Sequence, residues 1–265
     1  GGNKPDKKKL SFEEQKALRQ KALDDAARKV VSSPEALRQY LDLQSRFERY
    51  SANNNLLIFA QRPDATRLQS MDAWNADKKW VKEKAKAVFI YEPKENKKDG
   101  KTYTNFIRKS MFDISDIKDA EPLPKTEYDS LTTVSALFSG KTVDVIMLDD
   151  YPDDRRFGAF YDAEENCIYA KKGMSHSEIF VSVSQALAHA EMARDSDNYV
   201  PAEHQFEAKC AAYILAKKYD MPTDDLTFDR VPGNIASADV SDIRKKLATV
   251  NETVKTISKS MYKDL

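Results

Sequence analysis

Three consecutive asparagines, Asn53 to Asn55, stand directly before an apolar block, Leu56-Leu57-Ile58-Phe59-Ala60, which Gln61-Arg62-Pro63 closes. Asparagine amides compete with the backbone for hydrogen bonds and sit poorly inside a helix. Three at the mouth of an apolar helix are costly unless they cap it or bond something specific. Pro63 stops the helix and pushes Arg62 toward extended backbone. The stretch from Tyr50 to Thr66 therefore reads in two ways. It is either a polar site built from Asn53, Asn55 and Arg62, or a capped core helix with a polar start.

The surrounding pattern is helical first and extended later. Residues 3–9 read as a solvated lysine tail. Ser11 and Glu14 form a capping-box pair, followed by Leu18, Ala22, Ala26 and Val30 at helical spacing. Ser33-Pro34 starts a second helix with a Leu37, Leu41, Leu43, Phe47 stripe. A short helix capped by Ser70 or Asp72 carries Trp74. Ala87 to Tyr91 reads as a strand ended by Glu92-Pro93, and Thr102–Ile107 and Ser110–Ile114 read as two more, with Asp99-Gly100 as the hairpin turn.

Glu121-Pro122-Leu123-Pro124-Lys125 reads as a linker. Beyond it come a helix over Ser130–Leu137, a strand over Val143–Leu148, short strands at 158–161 and 167–170, and helices over Ser175–Arg194 and from about Ala202 to Tyr219. The expected fold is α+β in two modules. Residues 10–122 form helices and a small antiparallel sheet, 126–235 form a second α+β module, and 236–265 form a C-terminal helical extension.

The 43 basic and 43 acidic residues cancel over the chain but not along it. Residues 1–125 hold 27 Lys+Arg against 19 Asp+Glu, and residues 126–265 hold 16 against 24. A basic half attracts phosphate backbones, while an acidic half repels them and is open to protein partners. Trp80, Phe89, Tyr91, Tyr103 and Phe106 lie among Lys78, Lys79, Lys82, Lys84, Lys86, Lys101, Arg108 and Lys109. Aromatics among cations suit sequence-tolerant single-strand binding. The plainer reading is core packing for the rings and a solvated face for the lysines. No apolar run reaches the ~20 residues of a membrane-spanning helix. The polar start shows no leader, and Cys167 and Cys210 read as reduced core residues, so a cytoplasmic protein is expected.

YSANNNLLIFAQRPDAT, Trp74, Trp80-Val81-Lys82 with Lys84 and Lys86, Phe89-Ile90, and Met111 to Ser115 resemble the N-terminal domain of the ArdC antirestriction proteins over roughly residues 10–120. That domain also occurs in LtrC-like and primase-type proteins of conjugative plasmids and transposons. The resemblance implies single-stranded DNA binding, and with the residue pattern it makes Asn53, Asn55, Arg62, Trp80, Lys82, Lys84, Lys86 and Arg108 the expected contacts. The family usually has Gly where this chain has Ala85.

Residues 140–222 resemble the zincin-like domains of the ImmA/IrrE and ArdC kind through FGAFYDAEENCIYA, Leu187-Ala188-His189 and Glu207 to Tyr213. A working member carries H-E-x-x-H, two histidines for zinc and a glutamate for its water. This chain reads His189-Ala190-Glu191-Met192-Ala193, so the resemblance implies a relic: no catalytic residue, no cofactor, and His189 and Glu207 as remnant metal positions bonded to each other. The alternative is a zinc-dependent peptidase in which His204 joins His189 and Glu207. A third reading is a structural module of a larger conjugation protein.

Overall fold

The computed structural model describes residues 9–265, so residues 3–8 of the lysine-rich stretch lie outside it. Helix α1 (Phe12–Val30) opens at Ser11, whose hydroxyl accepts from the Glu14 amide while the Glu14 carboxylate accepts from the Ser11 amide. Ser33 caps α2 (Pro34–Arg46), with Pro34 at its first position. Helix α3 (Ala52–Gln61) is capped by Ser51, which leaves all three asparagines inside its first turns.

Strand β1 (Leu68–Ser70) leads into α4 (Met71–Ala76), capped by Ser70. β2 (Val88–Lys98) and β3 (Lys101–Asp113) form a long antiparallel hairpin. Its turn residues Asp99 and Gly100 have φ of 52° and 73°, the positive pair that a tight hairpin turn needs. The sheet order is β1-β3-β2.

Two sequence expectations change here. β2 does not end at Glu92-Pro93 but runs through it, with Pro93 opposite Phe106. β2 is an edge strand, and the amides of Phe89 and Tyr91 point outward, away from β3. Pro93 has the same parity, so its missing N–H costs no ladder bond. The two strands expected at 102–107 and 110–114 are one continuous β3.

The remaining elements are α5 (Ser130–Ser139), β4 (Asp144–Leu148), β5 (Ala159–Asp162), β6 (Cys167–Lys171), α6 (His176–Ala193), α7 (Gln205–Lys218), the short α8 (Gly233–Ala236) and α9 (Val240–Met261). The second sheet has the order β4-β6-β5, with β4 parallel and β5 antiparallel to β6. The fold is α+β. No helix of the described residues is long and apolar enough to cross a membrane. Both cysteines are free and buried.

The largest core cluster draws on both halves: Leu23, Leu37 and Phe59 with Phe180, Ile214, Leu247 and Val254. Under the first sheet, Val88 and Ile90 pack on Leu43, Phe47 and Ile58. On its other face Phe112 meets Trp74 and Ile117, and the Trp74 ring N–H donates to the Phe112 carbonyl at 2.9 Å. Ala85 packs against this small cluster, and the positive φ of that turn, 64°, falls on Lys84. A methyl at position 85 is therefore accommodated without strain.

Helix α3 is joined to the sheet by side chains. Asn54 Nδ2 donates to the Tyr91 carbonyl at 2.8 Å, and the Tyr91 amide donates to Asn54 Oδ1 at 2.9 Å. Gln61 repeats the pattern on Phe89, at 2.8 and 2.9 Å. Seven residues apart, the two amides project from one helix face. Each supplies a donor and an acceptor, as a neighbouring strand would, and so covers the edge of β2. Asn54→Ala should cost about 1–3 kcal/mol in urea denaturation because it strips both partners from Tyr91. Asn53 is exposed, and Asn53→Ala should stay within about 0.5 kcal/mol. Equal losses at the two positions would contradict this division of labour.

Candidate functional site

Two places gather chemistry-bearing side chains. The first is a groove of about 520 Å³ between α1, α3 and the open face of the β2–β3 hairpin. Phe89, Tyr91, Phe106 and Arg108 share that face through the register Phe89↔Ser110, Tyr91↔Arg108 and Pro93↔Phe106. The Arg108 guanidinium lies 4.5 Å from the centre of the Phe89 ring. Arg19, reaching in from α1, lies 4.6 Å from the Phe106 ring and 5.2 Å from the Tyr91 ring. Among the described residues neither arginine has a carboxylate within 4 Å. Phe106 is 51% exposed and Trp80, on the loop before β2, 56%. An exposed ring beside unpaired guanidinium groups is a surface suited to a planar, anionic partner.

The residues singled out in the sequence fall into separate settings. Arg108 lies in the groove. Arg62 forms an ion pair with Asp116 and donates to Ser115 Oγ at 2.7 Å. Lys82 donates to the Ser115 carbonyl at 2.9 Å, and the Trp80 carbonyl accepts from Lys118. Arg62, Trp80 and Lys82 thus meet around the 3-10 turn Ile114–Asp116, while Lys84 and Lys86 are exposed on the same loop. Asp113 anchors the turn. Burial alone would raise the pKa of this carboxylate, but bonds from Ser115, Thr66 and Arg67 hold it below its ordinary value. Asn55 is buried, with Nδ2 toward the Phe47 carbonyl and Asn251 Oδ1 at 3.3 and 3.4 Å. Asn53 faces Arg244. Arg19 carried no signal in sequence, since nothing in a helix tells which neighbour a lone arginine will meet.

The second place is around His189 on α6. The ring is 4% exposed, and its Nδ1 lies 2.7 Å from the Tyr199 hydroxyl. Burial pushes its pKa down to about 4, against a hydrogen bond to the Gln205 side chain that pulls upward. Tyr199 stacks on His204 with ring centres 4.7 Å apart. Glu207, 3% exposed, does not bond His189 as the relic reading expected. Its Oε1 instead accepts from Lys246 of α9 at 2.9 Å, with His204 Nδ1 at 3.7 Å, and its Oε2 is buried without a partner. Lys246 carried no sequence signal because it reaches the site from α9, 39 residues beyond Glu207, and Tyr199 because it lies on the irregular loop after α6, where no helical spacing applies.

The fold is similar to that of the ArdC antirestriction protein from plasmid R388. Its Mn(II)-bound structure matches with a TM-score of 0.62 and 11% identity, over 92% of this chain and 98% of that one. Its metal-free structure matches at 0.53 and 12%, over 81% and 86%. No protein-family model and no curated protein matches the chain.

The residues present here do not fit a metal held by three protein ligands. Among the described residues no three His, Cys, Asp or Glu side chains are grouped to hold one. Ala190 and Ala193 offer no donor atoms, and the Lys246 ammonium already neutralises Glu207. Removing that ammonium strands a buried carboxylate, so Lys246→Met should destabilise the protein by about 3–5 kcal/mol. Adding Glu207→Gln should restore most of the loss, as measured by chemical denaturation.

His189 also sets a pH dependence. A histidine whose folded pKa lies below its ordinary value of 6.5 gives stability that is fully present above 6.5 and lost as pH falls toward about 4. The size is about 3 kcal/mol. Denaturation midpoints should fall across that window in the wild type, and His189→Gln should flatten the fall.

Proposed function

We propose that this protein binds single-stranded DNA without strong sequence preference, as an antirestriction-type protein of a conjugative plasmid or transposon. The observation that carries the reading is the groove, with Phe89, Tyr91 and Phe106 under two unpaired arginines, Arg19 and Arg108. Bases stack on the rings, and the guanidinium groups meet phosphates or stack in turn. Trp80, Lys82, Lys84 and Lys86 extend the basic, aromatic surface along the neighbouring loop. Similarity in fold to an antirestriction protein supports the setting. In this reading Arg62 positions the Lys82 loop through the Ser115–Asp116 turn, and Asn55 braces α3 against α9. The second module is a zincin-like scaffold whose cation is the Lys246 ammonium, and its acidic surface is available to a protein partner.

Anisotropy titrations with labelled single and double strands test this. The single strand should bind more tightly, with affinity falling steeply as salt rises. Phe106→Ala should weaken binding by roughly 5- to 150-fold, the range of a lost base–aromatic stack of ~1–3 kcal/mol. Its ring is exposed, so the melting temperature should hold. Arg108→Ala should also lower the salt slope by about one unit. Duplex-only or salt-independent binding would defeat the proposal.

A further inference from the structure

A second cavity, of about 350 Å³, opens beside His189 along β5 and the start of α7. Arg155, Arg156 and Lys209 line it together with Phe160, Gln185 and His189. This half of the chain has an excess of acidic residues, yet three cations converge here. Among the described residues none of the three has a carboxylate within 4 Å.

They are also held in place. The Arg155 guanidinium lies 3.9 Å from the centre of the Phe160 ring, and Arg156 lies 5.4 Å from that of Phe157. The Lys209 ammonium sits 4.6 Å from the centre of Phe228 and donates to the Thr227 carbonyl. Burial first, and the Arg156 charge second, lower the pKa of Lys209, while Asp229 pulls it upward.

Gln185 adds an independent sign. It is 6% exposed, its Nε2 is turned toward Gln205 Oε1 at 3.4 Å, and its own Oε1 is buried without a partner. An unpaired buried acceptor costs about 1–3 kcal/mol, and the long 3.4 Å contact to Gln205 lets the Gln185 amide turn this oxygen toward the cavity that its side chain lines. His189 is neutral near pH 7, so the wall beside Gln185 carries no charge. The volume is at the low end for small-ligand pockets, roughly 300–1,000 Å³. The site therefore asks for a compact ligand with an anionic group at one end and a planar N–H donor at the other.

We propose that this cavity binds a nucleoside monophosphate. Arg156 and Lys209 take the phosphate, the Arg155 guanidinium stacked on Phe160 offers a flat, cationic face to the base, and Gln185 Oε1 accepts from a base N–H. The same chemistry is presented by a free nucleotide and by the phosphorylated end of a DNA strand.

The test is calorimetric titration of the full chain carrying Phe106→Ala, which removes the groove's exposed ring. The probes are dAMP, deoxyadenosine, inorganic phosphate, and short oligonucleotides with and without a 5′-phosphate. Either dAMP or the 5′-phosphorylated oligonucleotide should bind at least about tenfold more tightly than its unphosphorylated counterpart and than inorganic phosphate, a difference of ~1.4 kcal/mol. The member of the pair that binds identifies the source. Arg155→Ala and Arg156→Ala, both at exposed positions, should each weaken that binding by at least about tenfold.

Absence of binding by both phosphorylated probes up to about 10 mM overturns the assignment. So does inorganic phosphate binding as tightly as dAMP, or affinity indifferent to both arginines. Such a failure leaves the groove reading standing, because strand binding there is measured with Phe106 present.

Discussion

The pairing of two side-chain amides with one strand edge organises the N-terminal half. Asn54 and Gln61 give α3 the hydrogen-bonding pattern of a strand, and β2 accepts it at Tyr91 and Phe89. Without them β2 would present bare N–H and C=O groups at an open edge. With them the hairpin is fixed beside α1 and α3, its Val88 and Ile90 turned inward and its Phe89 and Tyr91 turned to the groove. The candidate nucleic-acid surface is thus a consequence of how an edge strand is covered. The exit from α3 is pinned as firmly: Arg46 bonds the carbonyls of Pro63 and Ala65, and Asp113 bonds the amides of Thr66 and Arg67.

Helix α9 ties the two halves together. Asn251 accepts from Gln44 at 3.0 Å in a buried setting, and Arg244 pairs with Asp24 at 3.0 Å. Tyr213 donates to Asp42 at 2.7 Å, and Lys218 bridges Glu48 and Ser258. Around these bonds a shared apolar cluster runs from Leu23 to Met261. A polar cluster buried within such packing restricts register, because a shifted helix would leave its amides unpaired.

The same helix changes the electrostatics of the His189 region. Lys246 gives a buried carboxylate a fixed cation supplied by the chain itself. The neighbouring histidine is kept neutral by burial and held by Tyr199. A neutral imidazole and a paired carboxylate make a rigid, polar region, and the unpaired cations lie on the other side of His189, at Arg155, Arg156 and Lys209. Positive charge in this otherwise acidic half is therefore concentrated at one cavity.

Sequence alone determined much of the local structure. The Ser11–Glu14 capping box, the Ser33-Pro34 helix start, the Asp99-Gly100 turn and the element order of the second half follow from chemistry within a few residues. The absence of an H-E-x-x-H motif after His189 is equally local, since Ala190 and Ala193 stand at those positions. Tertiary structure alone decided which asparagine faces what. Asn53, Asn54 and Asn55 are identical in type and adjacent, but each is rotated ~100° from the next on the helix. One meets Arg244, one the edge of β2, one Asn251, and those partners lie 37 to 196 residues away. Pro93 passes through a strand only because that strand is an edge, and Glu207 is neutralised only because α9 returns across the fold. A side chain's chemistry is set by its own atoms, but its partner is set by packing between distant segments, which no local pattern encodes.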